Sequence, residues 1–348
     1  MAYWLRSLHQ ALHVFDLTPD WLGAGVTVGS SKADTLTHTG GSHLILGVGG
    51  RDTITVEGVF SGLGNAVFGG AGDDTIKATG SRNLISGDGG NDFIQMGRGV
   101  GADNNYNVVL GGAGDDAIES CGKFNFISGG EGNDTINVTN TRFSYGEVNN
   151  VLEGGAGNDR IISDGIGSVL SGGRGDDYLL GSAATMNGFG TVLATGDLIG
   201  TAQTMNGGSG RDYFRFNTNS ELIVEGDQDG VLSQGDEITG LLSVVTDYQK
   251  GEGIDIDAGG NSMVSSKVTL GGIEEGVDHL RMGGYSHAVV RGDMNEPGHF
   301  VVDEDGGDTM IVYNWTNDSS RFAMGSVVLL DYADEVTVVN YQDGLFLG

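Results

Sequence analysis

Proline is nearly missing from this chain, with two residues in 348, and cysteine is represented by Cys121 alone. A single thiol excludes an internal disulfide. Any staple must come from elsewhere, and metal is the usual substitute. No run of about 18 or more apolar residues occurs, so no transmembrane segment is expected. The N-terminus does not read as a secretory signal, because Arg6, His9 and Gln10 break its apolar stretch and no clean small-residue cleavage site follows. Basic residues are scarce as well. Seventeen Lys and Arg face 47 Asp and Glu, a formal net charge of −30. Such a surface repels phosphate, which excludes nucleic acid as a partner and makes cations the natural one. At 38% the hydrophobic fraction is low for a compact domain of this length. A chain this acidic sits near the boundary of disorder unless its carboxylates are neutralised.

Several chemistries are missing too. No His-Glu-x-x-His and no Gly-x-Ser-x-Gly occurs, which excludes the zinc-protease and nucleophile-elbow signatures. The seven histidines, at 9, 13, 38, 43, 279, 287 and 299, show no ligand spacing, and there is no Cys/His cluster for zinc. Carboxylates are too numerous to single out a catalytic pair. Arg291-Gly292-Asp293 spells an integrin tripeptide, read as coincidence in a chain so rich in Gly and Asp. A flat Thr/Asn array along the turns, which ice binding would require, is not apparent at Ala71/Asp73, Ala113/Asp115, Glu131/Asn133 and Arg174/Asp176.

Glycine is what the chain has in excess, 65 residues, without the strict period of collagen. The hexapeptide Gly-Gly-x-Gly-x-Asp recurs at Gly69–Asp74, Gly111–Asp116, Gly129–Asp134, Gly154–Asp159, Gly172–Asp177 and Gly207–Asp212. Two variants, Gly47–Asp52 and Gly87–Asp92, lack the second glycine. The sixth positions are Asp52, Asp74, Asp92, Asp116, Asp134, Asp159, Asp177 and Asp212, separated by 22, 18, 24, 18, 25, 18 and 35 residues. Eighteen is the floor, and most other spacings are that floor plus an insertion.

Three ladders keep this register. Two residues after each aspartate stands Ile54, Ile76, Ile94, Ile118, Ile136, Ile161, Leu179 or Phe214. Two residues before each first glycine stands Ile45, Val67, Ile85, Val109, Ile127, Leu152, Leu170 or Met205. Two residues earlier again comes a polar position: His43, Asn65, Asn83, Asn107, Asn125, Asn150, Ser168, Gln203. Side chains alternate across a strand, so each short strand sends its apolar residue inward. One unit cannot bury its own face, but stacked units form a continuous thin core. The predicted fold is all-β, a right-handed parallel β-roll with its glycine turns along one edge and its insertions on the other. The polar ladder is expected to hydrogen-bond turn backbone.

The glycines at positions 1, 2 and 4 are expected to take positive φ and aim their carbonyls at one point, where the aspartate adds a carboxylate. An all-oxygen cage of this kind suits Ca²⁺ better than Mg²⁺. The predicted metal site therefore comprises the eight aspartates with Gly70, Gly72, Gly112, Gly114, Gly130, Gly132, Gly155, Gly157, Gly173 and Gly175. These motifs resemble those of RTX haemolysin-type calcium-binding proteins over about 47–214. The resemblance implies several calcium ions; with the motif on one edge only, a single file is expected. At free calcium about 100 times Kd each site adds about 2.7 kcal/mol, so several would rival the ~5–15 kcal/mol stability of a domain.

Three divisions are expected: an N-terminal cap, 1–35, with an amphipathic helix over 2–15; the roll, 36–215; and a β-rich C-terminal closing domain, 216–348. Residues 225–237 resemble an EF-hand or dockerin loop and nominate Asp227, Asp229 and Asp236 as further metal ligands. Residues 244–257 resemble the segment that closes RTX rolls. The tail from 292, with Arg321 its last basic residue, resembles an uncleaved type I secretion signal. Two readings follow. One is a secreted, calcium-folded structural or adhesive protein that self-assembles into a surface layer, fibre or biofilm matrix. The other is a polysaccharide-active enzyme of epimerase or lyase type, or its carbohydrate-binding module, with surface polysaccharide as partner.

Overall fold

The computed structural model describes residues 25–58, 64–97, 104–138, 148–183, 200–218, 222–225, 232–256, 266–267, 274–275, 280–281, 286–314, 325–332, 334, 338–341 and 344–347. The expected helix over 2–15 lies outside them. All regular structure among the described residues is β. The chain divides into two compact units, 1–178 and 179–348.

The first unit is a parallel β-solenoid. Each coil contributes one strand that leads into the glycine turn and one that leaves it. The leading strands stack in register, with Val67 beside Ile85, Ile85 beside Val109, Val109 beside Ile127 and Ile127 beside Leu152. The leaving strands stack in the same sense, Ile54 on Ile76, Ile76 on Ile94, Ile94 on Ile118 and Ile118 on Ile136. Both apolar ladders are fully buried. The core takes one apolar residue from each leading strand and up to two from each leaving strand, with Val56, Ala78, Met96 and Val138 as the second, which is why a sequence so poor in apolar residues can fill it.

The polar ladder closes the core at the corner opposite the turns. Asn65, Asn83, Asn107, Asn125 and Asn150 are buried. Each Oδ1 accepts the backbone N–H of the equivalent residue one coil earlier, from His43 to Asn65 at 3.1 Å and from Asn125 to Asn150 at 2.8 Å. The amide nitrogens of Asn65, Asn83 and Asn150 donate to Gly40 O, Gly80 O and Gly122 O. The residue just before this ladder has positive φ in several coils, at Ser42, Arg82, Tyr106, Phe124 and Asn149. The chain enters the corner through a left-handed residue, which the side-chain pattern does not announce.

The second unit contains parallel coil strands of its own and adds antiparallel sheet. Leu241–Val245 runs parallel to Gly200–Ser209, and Gly253–Ile256 parallel to Tyr213–Thr218. Ser286–Glu296 pairs antiparallel with His299–Val302 and with Asp308–Asn314, which pairs in turn with Gly325–Leu329. Leu232, Ile238, Val244, Val290, Phe300, Met310 and Val328 form the core of this part.

Candidate metal centre

The turn at Gly111–Asp116 shows how a site is assembled. Gly112 and Gly114 have φ of 125° and 126°, a region closed to L side chains. The same holds at Gly70, Gly72, Gly130, Gly132, Gly155, Gly157, Gly173 and Gly175. Where position 2 is not glycine, Val48 and Asp88 adopt positive φ regardless, at 82° and 72°. The variant turns thus keep the geometry of the others. Position 1 departs from expectation, because none of Gly47, Gly69, Gly87, Gly111, Gly129 and Gly154 has positive φ. Glycine is required there for space. A side-chain carbon on Gly111 would collide with Asp116 Oδ2 and lie 2.5 Å from Gly129 O. The same cradle, formed by the coil's own aspartate Oδ2 and the next coil's carbonyl, recurs at Gly47, Gly69, Gly87 and Gly154.

The aspartates line up along the turn edge. The backbone N–H of each donates to Oδ1 of the next: Asp52 to Asp74, Asp74 to Asp92, Asp92 to Asp116, Asp116 to Asp134, Asp134 to Asp159 and Asp159 to Asp177, all at 2.7–2.8 Å. These aspartates are buried. Oδ2 of Asp52, Asp74, Asp92, Asp116, Asp134 and Asp159 has no hydrogen-bond partner. An unpaired buried carboxylate oxygen is costly, and here it recurs coil after coil. Burial pushes the Asp92, Asp116 and Asp134 carboxyls up to about 7, 6 and 7, against the opposing pull of the N–H each accepts; neighbouring carboxylates add to the rise. Asp74 and Asp159 are raised by burial as well.

Among the described residues no three His, Cys, Asp or Glu side chains converge. Each cradle is instead made of a single carboxylate and backbone carbonyls. That donor set, all oxygen and short of positive charge, fits a hard divalent cation and offers nothing to zinc or copper.

A further ladder went unread in the sequence. At position 5, Asn91 N–H donates to Asp73 Oδ1, Asp115 to Asn91, Asn133 to Asp115, Asn158 to Asn133 and Asp176 to Asn158. This outer ladder donates toward the earlier coil, opposite in direction to the aspartate file. Its legible signal was the unbroken Asp/Asn identity of these five residues and Asp73. Asp73 also accepts from Arg51 at 2.6 Å, and these bonds, the Asn91 N–H first, hold its carboxyl below the usual range.

The remaining nominated residues lie elsewhere. Asp212 belongs to the second unit, buried against Gly207 of its own turn. Asp236 accepts from Ser233 N–H at 2.6 Å. Asp227 and Asp229 fall outside the described residues.

A family model for the RTX calcium-binding nonapeptide repeat matches the chain in four copies, at 62–100, 110–138, 145–165 and 168–184. The matched segments are RTX repeats, and these repeats bind Ca²⁺, several ions in all. A search of curated proteins finds no match.

Proposed function

We propose that calcium occupies the cradles between successive glycine turns, with the repeat aspartates Asp52, Asp74, Asp92, Asp116, Asp134, Asp159, Asp177 and Asp212 and the turn carbonyls as ligands. The observation that carries this reading is the row of buried Oδ2 atoms with no hydrogen-bond donor at Asp52, Asp74, Asp92, Asp116, Asp134 and Asp159, which at Gly47, Gly69, Gly87, Gly111 and Gly154 stands with a carbonyl of the next coil around a space only glycine leaves open. Bound calcium supplies the positive charge that these carboxylates lack. The chain's own part is to hold the oxygens in place through the Oδ1 ladder and to keep water out with the apolar core.

The protein on this reading is an extracellular structural protein, exported by a type I route, that folds on meeting millimolar calcium. Support comes from the net charge of −30, which opposes compaction until ions bind. Self-assembly at a surface or in a matrix is the further role. The support for it is the outward face of the leading strands, where Leu44, Leu84, Val108, Phe126, Val151 and Val169 form a half-exposed apolar ladder. Circular dichroism of the full chain with and without chelator tests the folding claim, expecting β signal only with calcium. Electron microscopy at millimolar calcium tests assembly, with dispersed monomers as the outcome against it.

A further inference from the structure

The strand register reveals one more coil at the start of the first unit and one more in the second, neither visible as a Gly-Gly-x-Gly-x-Asp motif. At the N-terminal side, Thr27 pairs with Ile45 and Leu36 with Ile54. Gly29–Asp34 therefore occupies the place of a six-residue turn, 18 residues before Gly47–Asp52. Asp34 N–H donates to Asp52 Oδ1 at 2.7 Å, as each aspartate from Asp52 to Asp159 does to its successor. In the second unit Met205 pairs with Val245 and Phe214 with Ile254. Asp247–Glu252 thus stands opposite Gly207–Asp212, with Asp247 at position 1 and Glu252 at position 6.

Both hidden turns differ from the repeats at the oxygen that a repeat leaves without a donor, because Asp34 Oδ2 and both oxygens of Asp247 already accept N–H groups. Ser30, at position 2, does not take the positive φ of Val48, Asp88 or the glycines. Its N–H and Oγ both donate to Asp34 Oδ2, at 2.6 and 2.8 Å. Asp247 accepts Gly207 N–H and Gly208 N–H at 2.9 and 2.7 Å, and Glu252 Oε2 accepts Gln249 N–H at 2.7 Å. Position 1, glycine in every repeat, is filled here by the Asp247 side chain. An N–H aimed at a carboxylate supplies locally the positive charge that the repeat cradles leave unmet, and it repels a cation from the same oxygen.

We infer that Gly29–Asp34 and Asp247–Glu252 are calcium-free coils, whose hydrogen-bonded carboxylates close the ion sites at these two places. This rests on the reading that calcium fills the repeat cradles. Ser30 and Asp247 are the blocking residues. Lys32 stands at position 4, where the repeats have glycine, and does not share their positive φ.

The test is calcium stoichiometry of the intact chain in millimolar calcium, by equilibrium dialysis with elemental analysis, alongside circular dichroism to confirm folding. Asp34→Asn and Glu252→Gln should keep the ion number of the unaltered protein, whereas Asp116→Asn should lose at least one. The double variant Ser30→Gly/Lys32→Gly restores the repeat pattern and should gain one ion. Loss of an ion in Asp34→Asn or Glu252→Gln would overturn the inference. A folded double variant with an unchanged count would overturn the role of Ser30, and if that variant does not fold the two carboxamide variants still decide. An unaltered chain that binds no calcium would instead sink the underlying reading, a distinct result.

Discussion

A methyl group fails at Gly111 and at Gly112 for different reasons, and the difference is measurable. At Gly112 the backbone has φ of 125° and an added carbon would meet Asp88 O. Gly112→Ala should cost about 1–3 kcal/mol in backbone strain alone, lowering the thermal midpoint at saturating calcium. At Gly111 the backbone is ordinary and the collision is with Asp116 Oδ2 inside the cradle. Gly111→Ala should therefore cost an ion, read as reduced calcium stoichiometry in a chain that still folds. Val48 is the converse case: a β-branched residue at φ 82°, 50% exposed, buries too little to offset its strain. Val48→Gly should stabilise the roll by about 0.5–1 kcal/mol, the αL penalty of ~1–2 kcal/mol less the chain entropy of glycine. A lower calcium midpoint for folding would show it, and a higher one would refute it.

At the scale of the element, the polar corner tests whether the coil depends on ions alone. Asn107 Oδ1 accepts Asn83 N–H at 2.8 Å, and its amide reaches Asn125 Oδ1 at 3.2 Å, both inside the core. Asn107→Ala strands a buried N–H, at about 1–3 kcal/mol. Denaturation at saturating calcium should register that loss with the number of bound ions unchanged, because this corner is remote from the turns. The ladders that repeat a residue type were legible in the sequence. Ile76, Ile94 and Ile118, the asparagines and the aspartates keep a fixed offset from glycine, and offset becomes register once strands are parallel. Apart from the Asp/Asn ladder at position 5, what stayed hidden had no type to repeat. Ser42, Arg82, Tyr106 and Phe124 share a positive φ and nothing else. The coils at Gly29–Asp34 and Asp247–Glu252 carry the register in Thr27, Leu36, Val245 and Ile254, but not the full set of glycines by which a turn is recognised. The position-1 glycines are needed for their missing Cβ and not for the positive φ expected of them, a distinction that no residue pattern carries.

For the whole molecule, protons and calcium compete for the same carboxylates, and the direction of their effect follows from the shifts. Asp92, Asp116 and Asp134 rise from the ordinary 3.8 to about 7, 6 and 7 in the ion-free fold, chiefly through burial. A carboxyl whose folded value is raised binds its proton more tightly folded than unfolded. Its contribution to the ion-free fold is complete below about 4 and is lost as pH climbs through 6 and 7. Acid should therefore do part of calcium's work. With chelator present, β signal in circular dichroism should increase as pH is lowered from 7.5 to 5, helped by the shrinking of a net charge of −30. With calcium present the trend reverses, because each ion must displace protons from the cradle. The calcium concentration at half-folding should climb as pH falls through the same window. A calcium midpoint indifferent to pH between 7.5 and 5.5 would mean that the raised aspartates are not the groups calcium engages.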